Sequence, residues 1–139
     1  NKINSLVLDA NIKKFKNETE MRIKNNNLYY KSFTDIKNIN SLISKNKLNH
    51  LTIEYPVVLN SKKTKINLYN YLLKEGFDLR KFYYRNCANI KIYKKFQRER
   101  LKNSQDIEDK ILSFPNHPKI DEIYIKRLKS KIIFFFKKN

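Results

Sequence analysis

The sequence predicts an α+β domain in which a long N-terminal helix precedes a small, mainly antiparallel sheet with helices packed on it. Three observations support this prediction. Apolar residues recur at helical spacing over residues 6–33, residues 50–59 and 79–84 are rich in β-branched and aromatic side chains, and between them a helical pattern ends at a glycine. Strand and helix patterns therefore alternate along the chain, as they do in an α+β layer.

Length and charge limit what the chain can be. Its 139 residues suffice for one domain with a modest core. Because the first residue is Asn1 and not methionine, we expect the chain to be part of a longer protein. Lys and Arg number 31 against 13 Asp and Glu, a formal net charge of +18. Such an excess can indicate nucleic acid or an anionic membrane as a partner. The charges are scattered and Asn, Ile, Tyr and Phe are also frequent, so we attribute the excess to an A+T-rich genome.

The cysteine count and the apolar runs indicate the compartment. Cys87 is the only cysteine, so no disulfide forms within the chain. The longest purely apolar run, residues 132–136, is far shorter than the roughly 20 residues that span a bilayer, and no secretory signal is visible. We expect a soluble, cytoplasmic protein without membrane contact.

The first predicted element is one long amphipathic helix over residues 1–34. The run from Asn25 to Asn27 weakens this pattern, because asparagine prefers turns and caps to helix interiors. Residues 35–49 have no clear period and predict a loop, with a short turn at Leu42 and Ile43. The apolar positions of the helix are Leu8, Ile12, Phe15, Ile23, Tyr30 and Phe33.

The next segments predict a strand, a helix and a second strand. Residues 50–59 predict a strand, in which Pro56 should lie at an edge or a bulge because it has no amide donor. A helix follows and ends at Gly76, the only glycine in the chain, which can adopt the left-handed conformation of a helix exit. Residues 79–84 then predict a strand.

The C-terminal part predicts two further helices and a short strand. Tyr93 and Phe96 are expected on a short helical turn, followed by a charged connector. Ser104 is the predicted N-cap of a helix whose Ile107 and Ile111 face inward. Residues 112–114 predict an extended segment. Asp121 caps a last helix with one apolar stripe, formed by Ile125, Leu128, Ile132 and Phe135.

Residues 71–118 resemble the C-terminal small domain of the DegT/StrS family, the pyridoxal-phosphate (PLP) sugar aminotransferases of fold type I. Family members combine a helix that ends in Gly-Ile, an arginine-led aromatic strand, a later tyrosine and an I-L-S-L-P-L-H-P segment. The matching positions are Gly76 and Phe77, residues 80–84 (RKFYY), Tyr93, and residues 111–118 (ILSFPNHP). Residues 21–30 more loosely resemble the helix that links the two domains of the family.

The resemblance implies a division of the chain and a reaction. It implies one domain over residues 1–139 that is the C-terminal part of an aminotransferase, with residues 1–34 as the linking helix and residues 48–139 as the small-domain sheet and helices. The implied reaction transfers an amino group, usually from glutamate, to a nucleotide-linked keto-sugar in polysaccharide biosynthesis by a cytoplasmic homodimer. In the family, PLP and its Schiff-base lysine belong to the N-terminal large domain. No lysine here is therefore assigned as catalytic or cofactor-binding, and we expect this chain alone to be inactive.

The resemblance also implies that the small domain forms one wall of the substrate cleft. An arginine binds phosphate in a two-pronged way, and phenol hydroxyls donate to phosphate or sugar oxygens. On this basis Arg80, Tyr83 and Tyr84 are the predicted substrate-binding residues. The alternative is that the aromatic side chains of this strand pack in the core.

Other functions stay open at this point. A basic RNA-binding or ribosome-associated protein would use the lysines and arginines of residues 91–102, with Tyr93 and Phe96 as stacking groups, although no RNA-module signature accompanies them. A catalytically inactive remnant could serve as an interaction module. Metal binding is not expected from two isolated histidines and one cysteine, and His50 and His117 are interpreted as structural.

Overall fold

The structure, a computed structural model, describes residues 2–47, 49–81, 86–96 and 101–138. These form an α+β domain with a long N-terminal helix, which confirms the predicted fold class. The elements in chain order are α1 (Lys2–Phe33), β1 (Ile39–Ser41), β2 (Glu54–Leu59), α2 (Lys62–Lys74), α3 (Lys102–Lys110), β3 (Ile111–Pro115) and α4 (Glu122–Lys138). Short 3-10 turns occur at Lys45–Lys47, Cys87–Asn89 and Lys94–Phe96.

The sheet is antiparallel with the order β1, β2, β3, so β2 lies in the centre. Val57 of β2 pairs with Ser41 on one side and with Leu112 on the other. Alternate residues of β2 are buried, and all but the last residue of β3 is buried. Among the described residues, the segment after Gly76 joins the sheet through one bridge, in which Arg80 pairs with Ser113 of β3.

Two sequence predictions for the sheet were wrong. Residues 39–41, predicted as loop, form β1, a strand too short and too polar to show a period of two. Pro56 lies in the central strand, not at an edge or a bulge. Its partner Ser113 directs its backbone groups toward Arg80, so the nitrogen of Pro56 faces the β1 side. The missing amide N–H of Pro56 costs little on that side, because β1 ends at Ser41 and does not extend past Pro56. The carbonyl of Pro56 still accepts a hydrogen bond from Leu42 N.

The predicted strand over residues 79–84 is only partly described. Within residues 79–81, Arg80 makes the one bridge to β3, and Leu79 is buried at 4% exposure. Residues 82–84 lie outside the described residues.

Helix α1 is continuous, as predicted, and runs through the asparagine segment. Its buried residues all lie in its C-terminal part, where Asn25 and Asn26 accompany Tyr29 and Phe33. The apolar residues of its first half are exposed, with Leu8, Ile12 and Phe15 at 60%, 62% and 63%. Only the second half of α1 therefore packs on this domain.

The core is centred on four aromatic rings from α1, β2 and β3. Tyr29 stacks on Tyr55 at a centroid distance of 4.9 Å, and Phe33 meets the face of Phe114 edge-on at 5.2 Å. Offset stacks and edge-to-face pairs are the arrangements that aromatic quadrupoles favour. The predicted stripe of α4 is buried in the same cluster, together with Leu68 and Leu72 of α2.

The helix ends follow the sequence signals in two cases and not in the third. Gly76 has φ +82°, as predicted for the exit of α2. Asp121 Oδ1 accepts the backbone N–H of Tyr124 at 2.7 Å, which confirms the cap of α4. Helix α3 begins at Lys102 after Leu101, so Ser104 is not its cap. Ile107 is 39% exposed, which contradicts its inward placement, whereas Ile111 is buried in β3.

In the described ranges, no helix has the length and apolar character required to cross a bilayer.

Candidate functional site

A cleft of about 210 Å³ opens where the start of β2, the segment after Gly76 and the turn after β3 meet. Its volume is below the roughly 300–1,000 Å³ of complete small-molecule sites, so it can hold only part of a nucleotide-sized ligand. Its walls come from α1, β2, the post-glycine segment and the turn. The lining residues are Arg22, Ile53, Glu54, Asp78, Leu79, Arg80, Pro115, Asn116 and His117.

An ion pair between Arg80 and Glu54 forms one side of the cleft. Arg80 Nε lies 3.2 Å from Glu54 Oε1, and the Glu54 side chain is only 12% exposed. Burial raises the pKa of Glu54, an effect that Arg80 opposes and the Asp78 carboxylate reinforces. Glu54 Oε2 is buried and has no hydrogen-bond partner in the part of the chain that the structure describes. A carboxylate in this state is energetically costly when ionised.

Arg22 and Asn116 form the opposite side and hold each other through two hydrogen bonds. Arg22 Nη1 donates to Asn116 O at 2.9 Å, and Asn116 Nδ2 donates to Arg22 O at 3.2 Å. Asn116 is 1% exposed. The Arg22 guanidinium of α1 is thus bound to a residue 94 positions later in the sequence.

Further buried polar groups fasten the same turn to α1. Asn26 Oδ1 accepts from Asn116 Nδ2 at 2.9 Å and from Thr52 Oγ1 at 2.7 Å. Asn26 Nδ2 donates to His50 O, and Asn25 Nδ2 donates to His117 O. Buried amides are tolerated when most of their hydrogen-bonding groups are paired. Asn116 Oδ1, by contrast, is buried without a hydrogen-bond partner in the described part of the chain. The asparagine run that weakens the helical pattern in the sequence is therefore what attaches α1 to the cleft.

His117 lies at the mouth of the cleft and is exposed. Its Nδ1 accepts the backbone N–H of Lys119 at 3.2 Å. A nitrogen that accepts a hydrogen bond carries no proton, so the neutral ring has its N–H at Nε2. His117 can therefore present a donor to a ligand.

The structure places one of the three predicted substrate-binding residues in the cleft. Arg80 lines it, while Tyr83 and Tyr84 lie outside the described residues, so their role stays a prediction. Sequence reasoning missed Glu54 and Arg22 as cleft residues. The visible signal for Glu54 is a carboxylate at the start of an otherwise apolar strand. Arg22 carries no signal of its own, because its partner is distant in sequence.

Comparison with known proteins then identifies the family. The model of the DegT/DnrJ/EryC1/StrS aminotransferase family matches residues 1–132. The chain belongs to this family. That assignment confirms the resemblance carried by the segment after Gly76 and by residues 111–118 (ILSFPNHP), and it relates the chain to the aminotransferases. Among the curated proteins, none matches the chain.

Several solved structures share this fold. Helicobacter pylori PseC, an aminotransferase involved in the biosynthesis of pseudoaminic acid, superposes with a TM-score of 0.77 at 19% identity over 94% of this chain and 36% of its own. S. venezuelae DesV, solved in complex with a ketimine intermediate, gives a TM-score of 0.78 at 14% identity over 93% of this chain and 34% of its own. DesI, solved in the presence of its TDP-sugar product, gives a TM-score of 0.73 at 16% identity over 88% of this chain and 32% of its own. The chain thus spans about a third of the length of these structures.

The described residues do not fit PLP held as a Schiff base in the cleft, since none of the lining residues is a lysine. Lys65 of α2 is the buried lysine of the described core, at 8% exposure. Burial lowers its pKa, which Asp109 partly opposes, but its Nζ donates to Glu108 O at 2.7 Å and lies away from the cleft. Within the described ranges, no three His, Cys, Asp or Glu side chains group as metal ligands.

Proposed function

We propose that the chain is the C-terminal small domain of a PLP-dependent aminotransferase that transfers an amino group from glutamate to a nucleotide-linked keto-sugar. The family match over residues 1–132 is the observation that supports this proposal most. DesV, with its ketimine intermediate, and DesI, with its TDP-sugar product, support the reaction type and the substrate class. We place the reaction in cytoplasmic polysaccharide biosynthesis.

The exposed half of α1 supports a companion domain. Residues spaced alternately by four and three positions lie on one face of a helix. Counted back in this way from Phe33, the buried face of α1 includes the exposed Leu8, Ile12 and Phe15. Burying a Leu, Ile or Phe fully contributes roughly 1.5–3 kcal/mol each. We propose that residues 1–34 link to a large domain that covers the exposed N-terminal part of this stripe, in a homodimer. The stripe consists of Leu8, Ile12, Phe15, Thr19, Arg22, Asn26, Tyr29 and Phe33.

In this proposal the large domain and the present chain do different work. PLP, when bound, supplies an electron sink for moving the amino group between donor and sugar. Its lysine, its pyridinium partner and its phosphate contacts belong to the large domain. The present chain supplies a wall that binds substrate, in which Arg80, Tyr83 and Tyr84 donate hydrogen bonds to phosphate or sugar oxygens. The cleft is smaller than a complete ligand site, which agrees with its being one wall of two.

An amino-transfer assay tests the proposal. The chain with its natural upstream coding sequence and the 139-residue chain alone would each be incubated with PLP, glutamate and a nucleotide-linked keto-sugar. We expect the longer protein to form the amino sugar and 2-oxoglutarate in equal amounts, and the chain alone to form neither. Turnover by the chain alone would contradict the division of labour. Failure of the longer protein with every keto-sugar tried would contradict the substrate class.

A second candidate function rests on the exposed basic and aromatic segment after the Cys87–Asn89 turn. Lys91, Lys94 and Lys95 are exposed there, beside Tyr93 at 47% and Phe96 at 69% exposure. Cations interleaved with exposed rings can bind single-stranded RNA through phosphate contacts and base stacking. RNA affinity that falls steeply as salt rises, and that is lost in Phe96→Ala, would favour this function.

A further inference from the structure

The cleft holds an arginine whose charge no described carboxylate neutralises. The charge of Arg80 is balanced by Glu54, whose Oε1 lies 3.2 Å from Arg80 Nε. Arg22 makes its described side-chain hydrogen bond to a backbone carbonyl, Asn116 O, and no described acid pairs with it. The hydrogen bond from Nη1 restrains the guanidinium before any ligand arrives, which lowers the entropic cost of binding. An arginine held in this way is suited to an oxyanion.

We propose that Arg22 and His117 form the anion-binding end of this cleft and that they take the phosphate groups of the nucleotide-linked sugar. The inference rests on the proposed function for the identity of the ligand. Both residues line the cleft, and both can present donors to it. A guanidinium and an imidazole N–H form short, charge-assisted or neutral hydrogen bonds with phosphate oxygens.

The acidic groups of the cleft fit the rest of such a ligand. Glu54 faces Arg80 from β2, and Asp78 lies exposed in the post-glycine segment. A carboxylate accepts hydrogen bonds only, so Asp78 suits sugar hydroxyls and disfavours a second phosphate at its own position. The ligand class is therefore a phosphorylated sugar with its anion toward α1.

The position of Arg22 on α1 also favours a ligand. Arg22 lies between the exposed apolar half of the helix and its buried half, at the edge of the surface that we assign to the large domain. Ligand sites occur preferentially at such domain boundaries. Closure of the large domain over α1 would cover the cleft and complete it.

Titration of the 139-residue chain, which has its own contiguous core, tests the inference by NMR. The probes are UDP, inorganic pyrophosphate and uridine. We expect UDP and pyrophosphate to shift the amides of residues 22, 78–80 and 116–117 with dissociation constants of about 1 mM, and uridine to leave them unchanged. Shifts spread evenly over the lysine-rich surface, or no shift at this affinity, would overturn the inference.

Variants separate a ligand contact from general charge and from structure. Arg22→Gln should weaken UDP binding about tenfold, since a charge-assisted contact is lost. Lys24→Gln removes the same charge from an exposed position of α1 and should change affinity less than about twofold. Because Arg22→Gln also removes the bond to Asn116 O, Arg22→Lys serves as a second variant. It keeps the charge without the planar fork and should lie between wild type and Arg22→Gln.

Equal weakening by Arg22→Gln and Lys24→Gln would overturn the inference, as would a wild-type affinity in both Arg22 variants. The two proposals fail separately. Specific UDP binding without amino transfer by the longer protein would retain the anion site and reject the proposed function. Amino transfer by the longer protein, with an unchanged KM for the nucleotide sugar in Arg22→Gln, would retain the proposed function and reject the anion site.

Discussion

Arg80 and Ser113 exchange both of their backbone hydrogen bonds, with N to O distances of 3.1 Å and 3.0 Å. This pair joins the segment after Gly76 to β3, the strand that leads into the Pro-Asn-His-Pro turn at residues 115–118. Arg80, the first residue of one motif that carries the family resemblance, therefore lies beside Ser113 of the other motif. The cleft lies directly beside this junction, since Arg80 and Asn116 both line it and Asn116 directly follows β3, three residues after Ser113.

The amide of Asn116 should be among the most destabilising polar side chains to remove. Its Nδ2 lies within 3.2 Å of Arg22 O and within 3.0 Å of Asn26 Oδ1 and Thr52 O. Asn116→Ala should lower the free energy of unfolding by about 2–4 kcal/mol, because it leaves buried acceptors without their donor. Urea denaturation followed by circular dichroism measures the loss.

Asn67→Ala is the matched control for this change, because it removes the same side chain from an exposed position in α2. We expect no loss there, since alanine has the higher helix propensity. A similar loss in both variants would show that the network around Asn116 contributes nothing specific.

Gly76→Ala should destabilise the chain through backbone conformation alone. Gly76 has φ +82°, and a Cβ built on it meets no other atom within 4 Å. The expected cost is about 1–2 kcal/mol, the penalty of a left-handed backbone for a residue with a Cβ. Gly76→Asn should cost less, because asparagine tolerates this region. A loss above about 4 kcal/mol would instead indicate a steric clash that the open space excludes.

The free energy of unfolding of Glu54→Gln should increase relative to that of wild type as pH rises. Burial raises the folded-state pKa of Glu54 above its ordinary value of 4.5, so protonated Glu54 favours folding below that pH and this contribution is lost as the carboxyl ionises. Thermal unfolding of both proteins between about pH 3.5 and pH 7 measures the difference. If wild type instead gains on the variant as pH rises, the attraction of Arg80 outweighs the burial of Glu54.

Tyr55 should make the chain sensitive to alkali. Burial raises its pKa to about 12, although the hydrogen bond with Ser41 opposes the shift. The neutral phenol therefore stabilises the fold below pH 10, and this contribution is lost as pH rises through about 12. Between these values wild type should lose up to about 1.4 kcal/mol per pH unit relative to Tyr55→Phe. Parallel pH profiles of the two proteins would contradict the assignment.

Elements with local signals could be predicted from the sequence. The stripe and Asp121 cap of α4 need only helical spacing and one capping side chain, and the exit of α2 needs only Gly76. Strand β1 could not be predicted, because its three residues gain their order from pairing with β2. Pro56 was misplaced for a related reason, since its neighbour strand ends where the missing donor would be needed.

The candidate site depends almost entirely on tertiary contacts. Asn26 reads as a helix breaker until its partners Thr52 and Asn116 are known. Arg22 reads as one more surface cation of a lysine-rich chain until Asn116 anchors it. Arg80 could be found only because the family resemblance pointed to its segment.

The central claim is that this chain forms one half of a PLP enzyme and that the cofactor lysine belongs to the other half. Borohydride reduction in the presence of PLP, followed by peptide mass spectrometry, tests it most directly, because reduction fixes PLP on the lysine that holds it. We expect the protein with its natural upstream sequence to carry one pyridoxyl group on a lysine outside residues 1–139, and the chain alone to carry no stoichiometric adduct. A stoichiometric adduct on one lysine of the isolated chain would contradict the claim.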